Sequence, residues 1–168
     1  AYDRLIFPSL ERETRNTLTE SADEGAIKTF ALNLKPLLLQ PPVKGNVTLG
    51  FDPAYRTGCK LAVVDGTGKV LATSVIYPTP PHNKIEESKA TLKKLIEKYN
   101  ITNIAIGNGT ASRESENFIS ELLREIPQKV TYMVVSEAGA SVYSASPLGA
   151  AEFPDFDVSL RSAVSIAR

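Results

Sequence analysis

Apolar residues at Leu18, Ala22, Ala26, Ile27, Phe30, Ala31, Leu34 and Leu38 recur at helical spacing. The front of the chain therefore predicts an amphipathic helix from about Leu18 to Leu38, with one stripe buried by docking. Pro36 must bend or end it, because proline lacks the amide donor and disfavours helical geometry at the residue before it. Gln40-Pro41-Pro42-Val43-Lys44-Gly45 reads as an extended connector. A boundary near Gly45 would separate a helical segment and linker, residues 1–45, from a domain at 46–168. Beyond that point the period changes to two: Val47, Leu49 and Phe51 alternate with Thr48, Gly50 and Asp52. A turn from Pro53 to Gly58, a second strand at Leu61-Ala62-Val63-Val64, a tight hairpin at Gly66-Thr67-Gly68 and a third strand from Val70 to Tyr77 complete an antiparallel meander.

Asn83 with Glu86 three residues on predicts a capping box, and Ile85, Leu92, Leu95, Ile96 and Tyr99 share one face of the helix it opens. A short buried strand follows at Ile101 to Ile106. Thr110 or Ser112 then caps a helix carrying Phe118, Ile119, Leu122 and Ile126, which Pro127 ends. Val130 to Val135 is the fifth strand, and the remainder forms short helices interrupted by Pro147 and Pro154. Helical crossovers between the later strands imply parallel pairing. Three antiparallel strands followed by helix, strand, helix, strand, helix is the order of the ribonuclease H-like fold. It is also that of each half of the actin, heat-shock and sugar-kinase ATPases. The expected class is α/β, with a five-stranded mixed sheet flanked by helices and an N-terminal helical extension.

Composition narrows the chemistry. A hydrophobic share of 42% suits a globule with a real core, and no apolar run approaches the roughly 20 residues of a membrane span. No secretory leader is visible. Cys59 is the one cysteine and His82 the one histidine, so neither an internal disulfide nor a Cys/His zinc site can form. A reducing cytoplasm and no membrane partner are expected. Nineteen basic and nineteen acidic residues leave no net field to attract a polyanion, although a local patch suffices for phosphate contacts.

The strongest local signal is Leu49-Gly50-Phe51-Asp52-Pro53. An aspartate at the end of a central strand points into the crevice where open α/β sheets bind ligands, and its carboxylate could hold Mg²⁺. It could equally cap the turn begun at Pro53. Gly107-Asn108-Gly109-Thr110 offers either backbone amides to an anion or an ordinary strand-to-helix turn. Arg56 and Arg113 are the cations nearest that crevice. Ser141, Tyr143 and Ser144 add hydroxyls, but a serine without a histidine base is no triad. Cys59 suits packing, His82 the surface, and Lys84, Lys89, Lys93, Lys94 and Lys98, diluted by Glu86, Glu87 and Glu97, a solvated helix face.

Four stretches carry a family resemblance: Asp52 to Ala62 (DPAYRTGCKLA), Ile106 to Glu114 (IGNGTASRE), Glu137 to Ser146 (EAGASVYSAS) and Arg161 to Arg168 (RSAVSIAR). Together they resemble the YqgF-like domain of the Tex family of bacterial transcription accessory proteins, with the front helix similar to the segment preceding it. Tex proteins are larger, with helix-hairpin-helix and S1 modules downstream, so the chain reads as a piece of such a protein. The resemblance implies a cytoplasmic role around transcription. Nucleic acid would be bound mainly through other domains, and transcription machinery is a further partner.

Relatives in the same fold, the YqgF nucleases and RuvC-type resolvases, use clustered acids and divalent metal. By that resemblance Asp52 matches the first acid and Glu137 the second, while Glu137 could also serve to stabilise the helix that follows it. Gly107-Asn108 stands where a resolvase carries glutamate. The last-helix aspartate falls near Arg161 or Ser162, and Asp157 could substitute only from a displaced helix. The expectation is therefore a noncatalytic or vestigial nuclease-fold scaffold without cofactor. The alternative is a hydrolase holding Mg²⁺ or Mn²⁺ on Asp52 and Glu137. Arg56, Asn108, Thr110, Ser112, Arg113 and Ser141 are the candidate phosphate or nucleic-acid contacts.

Overall fold

A computed structural model describes residues 2–39 and 45–168. The chain divides into two compact units, Ala1–Pro42 and Val43–Arg168. The connector expected at 40–44 lies outside the described residues.

The first unit is helical. Tyr2–Ile6 winds in wide π-helical turns and leads directly into α1, Phe7–Leu38, which starts a full eleven residues before the apolar periodicity does. Pro36 sits in its last turn, and the helix stops two residues later. The expected buried stripe is not buried in this unit: Leu18, Ile27 and Phe30 are all exposed. A lone helix has no second surface against which to hide apolar side chains.

The second unit builds β1 (Thr48–Asp52), β2 (Cys59–Val64), β3 (Val70–Ile76), α2 (Ile85–Tyr99), β4 (Asn103–Gly107), α3 (Ser112–Glu125), β5 (Thr131–Val135), α4 (Ala138–Ala145), α5 (Pro147–Glu152) and α6 (Val158–Ala167). The five strands lie in the order β3-β2-β1-β4-β5. β1 pairs antiparallel with β2, and β2 with β3; β4 joins β1 and β5 in parallel.

Side-chain alternation along the strands assigns two faces. Leu49, Phe51, Leu61, Val63, Ile104 and Ile106 pack against Leu92 and Ile96 of α2 and Phe118, Ile119 and Leu122 of α3. On the other face Ala62, Val64 and Ala105 meet Ala163, Val164 and Ile166 of α6 and Ala140 of α4. Small residues there admit α6 closely: a Cβ at Gly50 would lie 2.0 Å from the Ala163 carbonyl oxygen. Gly50 is thus needed for backbone approach, and α6 reaches across to Asp52 on the same face.

Two helix starts differ from expectation. α2 begins after Lys84 without a side-chain cap, and Asn83 adopts a left-handed conformation at φ 48° instead of closing a capping box with Glu86. α3 begins after Ala111, also left-handed at φ 61°, so neither Thr110 nor Ser112 caps it. In both places the residue at the entry is left-handed and local cap propensity is not realised. α3 does end before Pro127, with Ile126 extended as a residue preceding proline should be. Ile85, expected on the buried face of α2, is exposed.

Candidate functional site

The crevice lies at the C-terminal ends of β1 and β4, on the sheet face covered by α4 and α6. β1 ends in Asp52, which is directly opposite Lys60 of β2. Opposed residues of an antiparallel pair project to the same face. Burial pushes the Asp52 carboxyl up to about 6, and the nearby charge of Glu137 pushes in the same direction. A hydrogen bond from Ser162 and the Lys60 ammonium act oppositely, and Asp157 adds a smaller upward push. The aspartate is thus held in a place that favours its protonated form.

Glu137 immediately precedes α4. Its amide donates to Asn108 Oδ1 at 3.0 Å, and the Asn108 amide donates to the Val135 carbonyl at 2.9 Å, so the turn after β4 and the end of β5 are stitched together. The Glu137 carboxylate lies against the glycines of that turn. A Cβ on Gly107 would fall 2.1 Å from Oε1, and one on Gly109 would fall 2.1 Å from Oε2. The absence of side chains at Gly107 and Gly109 therefore leaves room for the chain's own carboxylate. Glu137 Oε1 is buried without a hydrogen-bond partner.

Asp157 caps α6, its Oδ1 accepting the Leu160 amide at 2.7 Å. Arg161 is a brace, with Nε donating to the Phe153 carbonyl at 3.1 Å and Nη1 to the Ser144 carbonyl at 3.3 Å. Ser162, buried beside Asp52, supplies a hydroxyl at one of the two positions, Arg161 or Ser162, near which the resemblance places a nuclease aspartate. Among the described residues, no group of three or more His, Cys, Asp or Glu side chains is placed to hold a metal ion.

Of the remaining candidates, Arg56, Asn108, Thr110, Arg113 and Ser141 are exposed and Ser112 is half-buried. Ser141 is placed on the first turn of α4, where its amide donates to the Glu137 carbonyl at 2.8 Å. Sequence reasoning passed over Lys60, which is buried yet charged, and whose Nζ donates to the carbonyls of Thr57 and Gly58. Its signal was a lysine opening an otherwise apolar strand. A separate groove of about 490 Å³ runs between β3 and Phe153, Phe156 and Arg168 and contains none of the candidate residues. No described helix is long and apolar enough to cross a membrane.

Comparison with known proteins bears on this geometry. Residues 46–168 match the Tex protein YqgF-like domain. The whole chain is 60% identical to the Bacillus subtilis protein YdcI, covering 23% of that protein, and 97% of it aligns at 56% identity with 21% of the transcriptional accessory protein Tex of Neisseria gonorrhoeae. It is also 44% identical to human S1 RNA-binding domain-containing protein 1, over 100% of this chain and 17% of that one. The chain thus spans about a fifth of the length of the curated relatives it matches. Among solved structures, Thermus thermophilus RuvC superposes with a TM-score of 0.52 at 16% identity, covering 72% of this chain and 90% of RuvC, which establishes the shared ribonuclease H-like fold. With that fold, the matched domain and these relatives in agreement, the chain belongs to the Tex family, in the part that carries its YqgF-like domain.

Proposed function

We propose that this domain is a noncatalytic scaffold derived from a nuclease fold, working within a larger Tex-type protein in nucleic-acid-associated processes. The observation that carries the reading is the make-up of the crevice. Two-metal phosphodiester hydrolysis needs several carboxylates to hold cations roughly 4 Å apart. Here the crevice brings together Asp52 and Glu137, while Gly107-Asn108 and Arg161-Ser162 stand where the resemblance would place further acids, and Asp157 uses one carboxylate oxygen to cap α6. These residues do not fit a two-metal centre. The names of the relatives, a transcriptional accessory protein and an S1 RNA-binding domain-containing protein, support the setting.

A second reading, hydrolysis assisted by Mg²⁺ or Mn²⁺ on Asp52 and Glu137, draws on the buried, unpartnered Glu137 Oε1. A cleavage assay separates the two. The chain is incubated with single-stranded, duplex and branched DNA and with RNA, with either metal present, alongside Asp52→Ala and Glu137→Ala variants. The scaffold reading expects equal, background product from all three proteins. Product that disappears in Asp52→Ala would establish the hydrolase instead.

A further inference from the structure

β2 reads Cys-Lys-Leu-Ala-Val-Val, and every residue in it is buried, the lysine included. A lysine is seldom buried without partners that offset the loss of water around its ammonium. Lys60 Nζ donates to the carbonyls of Thr57 and Gly58, the second at 3.1 Å. Carbonyl oxygens solvate an ammonium but carry no net charge, so the positive charge is left to act through space.

Strand register decides where it acts. Lys60 is paired directly opposite Asp52, and opposed residues of an antiparallel pair share a face. The strand order β3-β2-β1-β4-β5 puts Lys60 on the β2 side of Asp52. The Gly107 turn, with the Glu137 carboxylate against it, lies on the β4 side. The Asp52 carboxyl feels both neighbours, since the charge of Glu137 raises its pKa and that of Lys60 lowers it. The two acids that could take a divalent ion therefore already have a cation fixed to the sheet beside them. An ion entering the crevice would meet a site of reduced negative charge and would be repelled by the ammonium.

We infer that Lys60 is the permanent counter-ion of the crevice, supplying beside Asp52 the positive charge that a metal-dependent nuclease draws from a divalent ion, and thereby keeping such ions out. This deepens the scaffold reading and rests on it: besides being short of acids, the crevice carries its own cation.

The test is Mn²⁺ binding to the 168-residue chain, followed by electron paramagnetic resonance of the free ion at pH 8, above the Asp52 pKa of about 6. Wild type should take up no Asp52-dependent Mn²⁺ at millimolar concentration. Lys60→Gln keeps a donor for the turn but removes the charge, and should bind Mn²⁺ at least about tenfold more tightly than wild type. Lys60→Met should do the same, and Lys60→Arg, which keeps the charge, should behave as wild type. The gain should disappear when Asp52→Asn is added to Lys60→Gln. If circular dichroism shows the neutral variants to be unfolded, Asp52→Asn should restore them, because a counter-ion is dispensable once its acid is gone. The inference is overturned if wild type binds Mn²⁺ through Asp52 or if folded neutral variants gain no affinity. It is equally overturned if Lys60→Arg gains as much as Lys60→Gln, if the gain survives Asp52→Asn, or if unfolded neutral variants are not restored. Any of these failures leaves the scaffold reading standing, because that reading falls only to Asp52-dependent product in the cleavage assay.

Discussion

Replacing Asp52 with asparagine should stabilise the domain above neutral pH, although it removes a residue that the family resemblance marks as catalytic. The native carboxyl has its pKa raised from 3.8 to about 6, chiefly by burial and then by the charge of Glu137. It therefore binds its proton more tightly than the unfolded chain does. Below about pH 4 both states are protonated and Asp52 brings no penalty. Between about pH 4 and 6 the unfolded state ionises first and stability falls as pH rises; above about 6 the full penalty is present. A shift of about 2 units at roughly 1.4 kcal/mol each gives about 3 kcal/mol, and partial solvent screening reduces this to about 1–2 kcal/mol. Asparagine preserves the shape and can still meet Ser162 without the charge. At pH 8 Asp52→Asn should thus raise the melting temperature by about 2–8 °C, at the roughly 2–4 °C per kcal/mol typical of this size. The gain should vanish near pH 4. Urea or thermal denaturation of both proteins from pH 4 to pH 8 measures it. An asparagine variant that is less stable at pH 8, or a difference that does not change with pH, would refute the burial account.

The glycines provide two further predictions. Gly50→Ala directs a methyl group into the α6 backbone at Ala163 and should cost about 3 kcal/mol or more by chemical denaturation, as an overpacked and rigid contact does. Gly107→Ala meets only the flexible end of Glu137, so its cost, about 1–2 kcal/mol, should largely disappear in a Glu137→Ala background. Additive effects in that double-mutant cycle would show that the carboxylate does not rest on the turn.

Much of the architecture was legible because strands and helices announce themselves by local periodicity. The alternation through Leu49 and Phe51, the apolar run Leu61 to Val64 and the helical stripe through Phe118, Ile119 and Leu122 predict the elements, and Leu49, Phe51, Leu61, Val63, Phe118, Ile119 and Leu122 share one core. Pro127 predicts the end of α3 for an equally local reason, its effect on Ile126. Helix starts were less legible. Asn83 and Ala111 adopt left-handed conformations that no cap motif encodes. Similarly, periodicity in α1 predicted a buried stripe, yet burial requires a second surface that periodicity alone does not specify.

The crevice shows the same division. Sequence alone determined that an acid ends β1, that a glycine turn follows β4 and that another acid precedes α4, since each is a matter of neighbours along the chain. Only the tertiary structure decided that Ser162 meets Asp52, that the Glu137 carboxylate rests on Gly107 and Gly109, and that Lys60 spends its ammonium on the carbonyls of its own turn. The first depends on how closely α6 approaches β1 at Gly50, between segments more than a hundred residues apart, and the second on the pairing of β4 with β5, whereas the Lys60 contacts are local and follow from how its own turn folds.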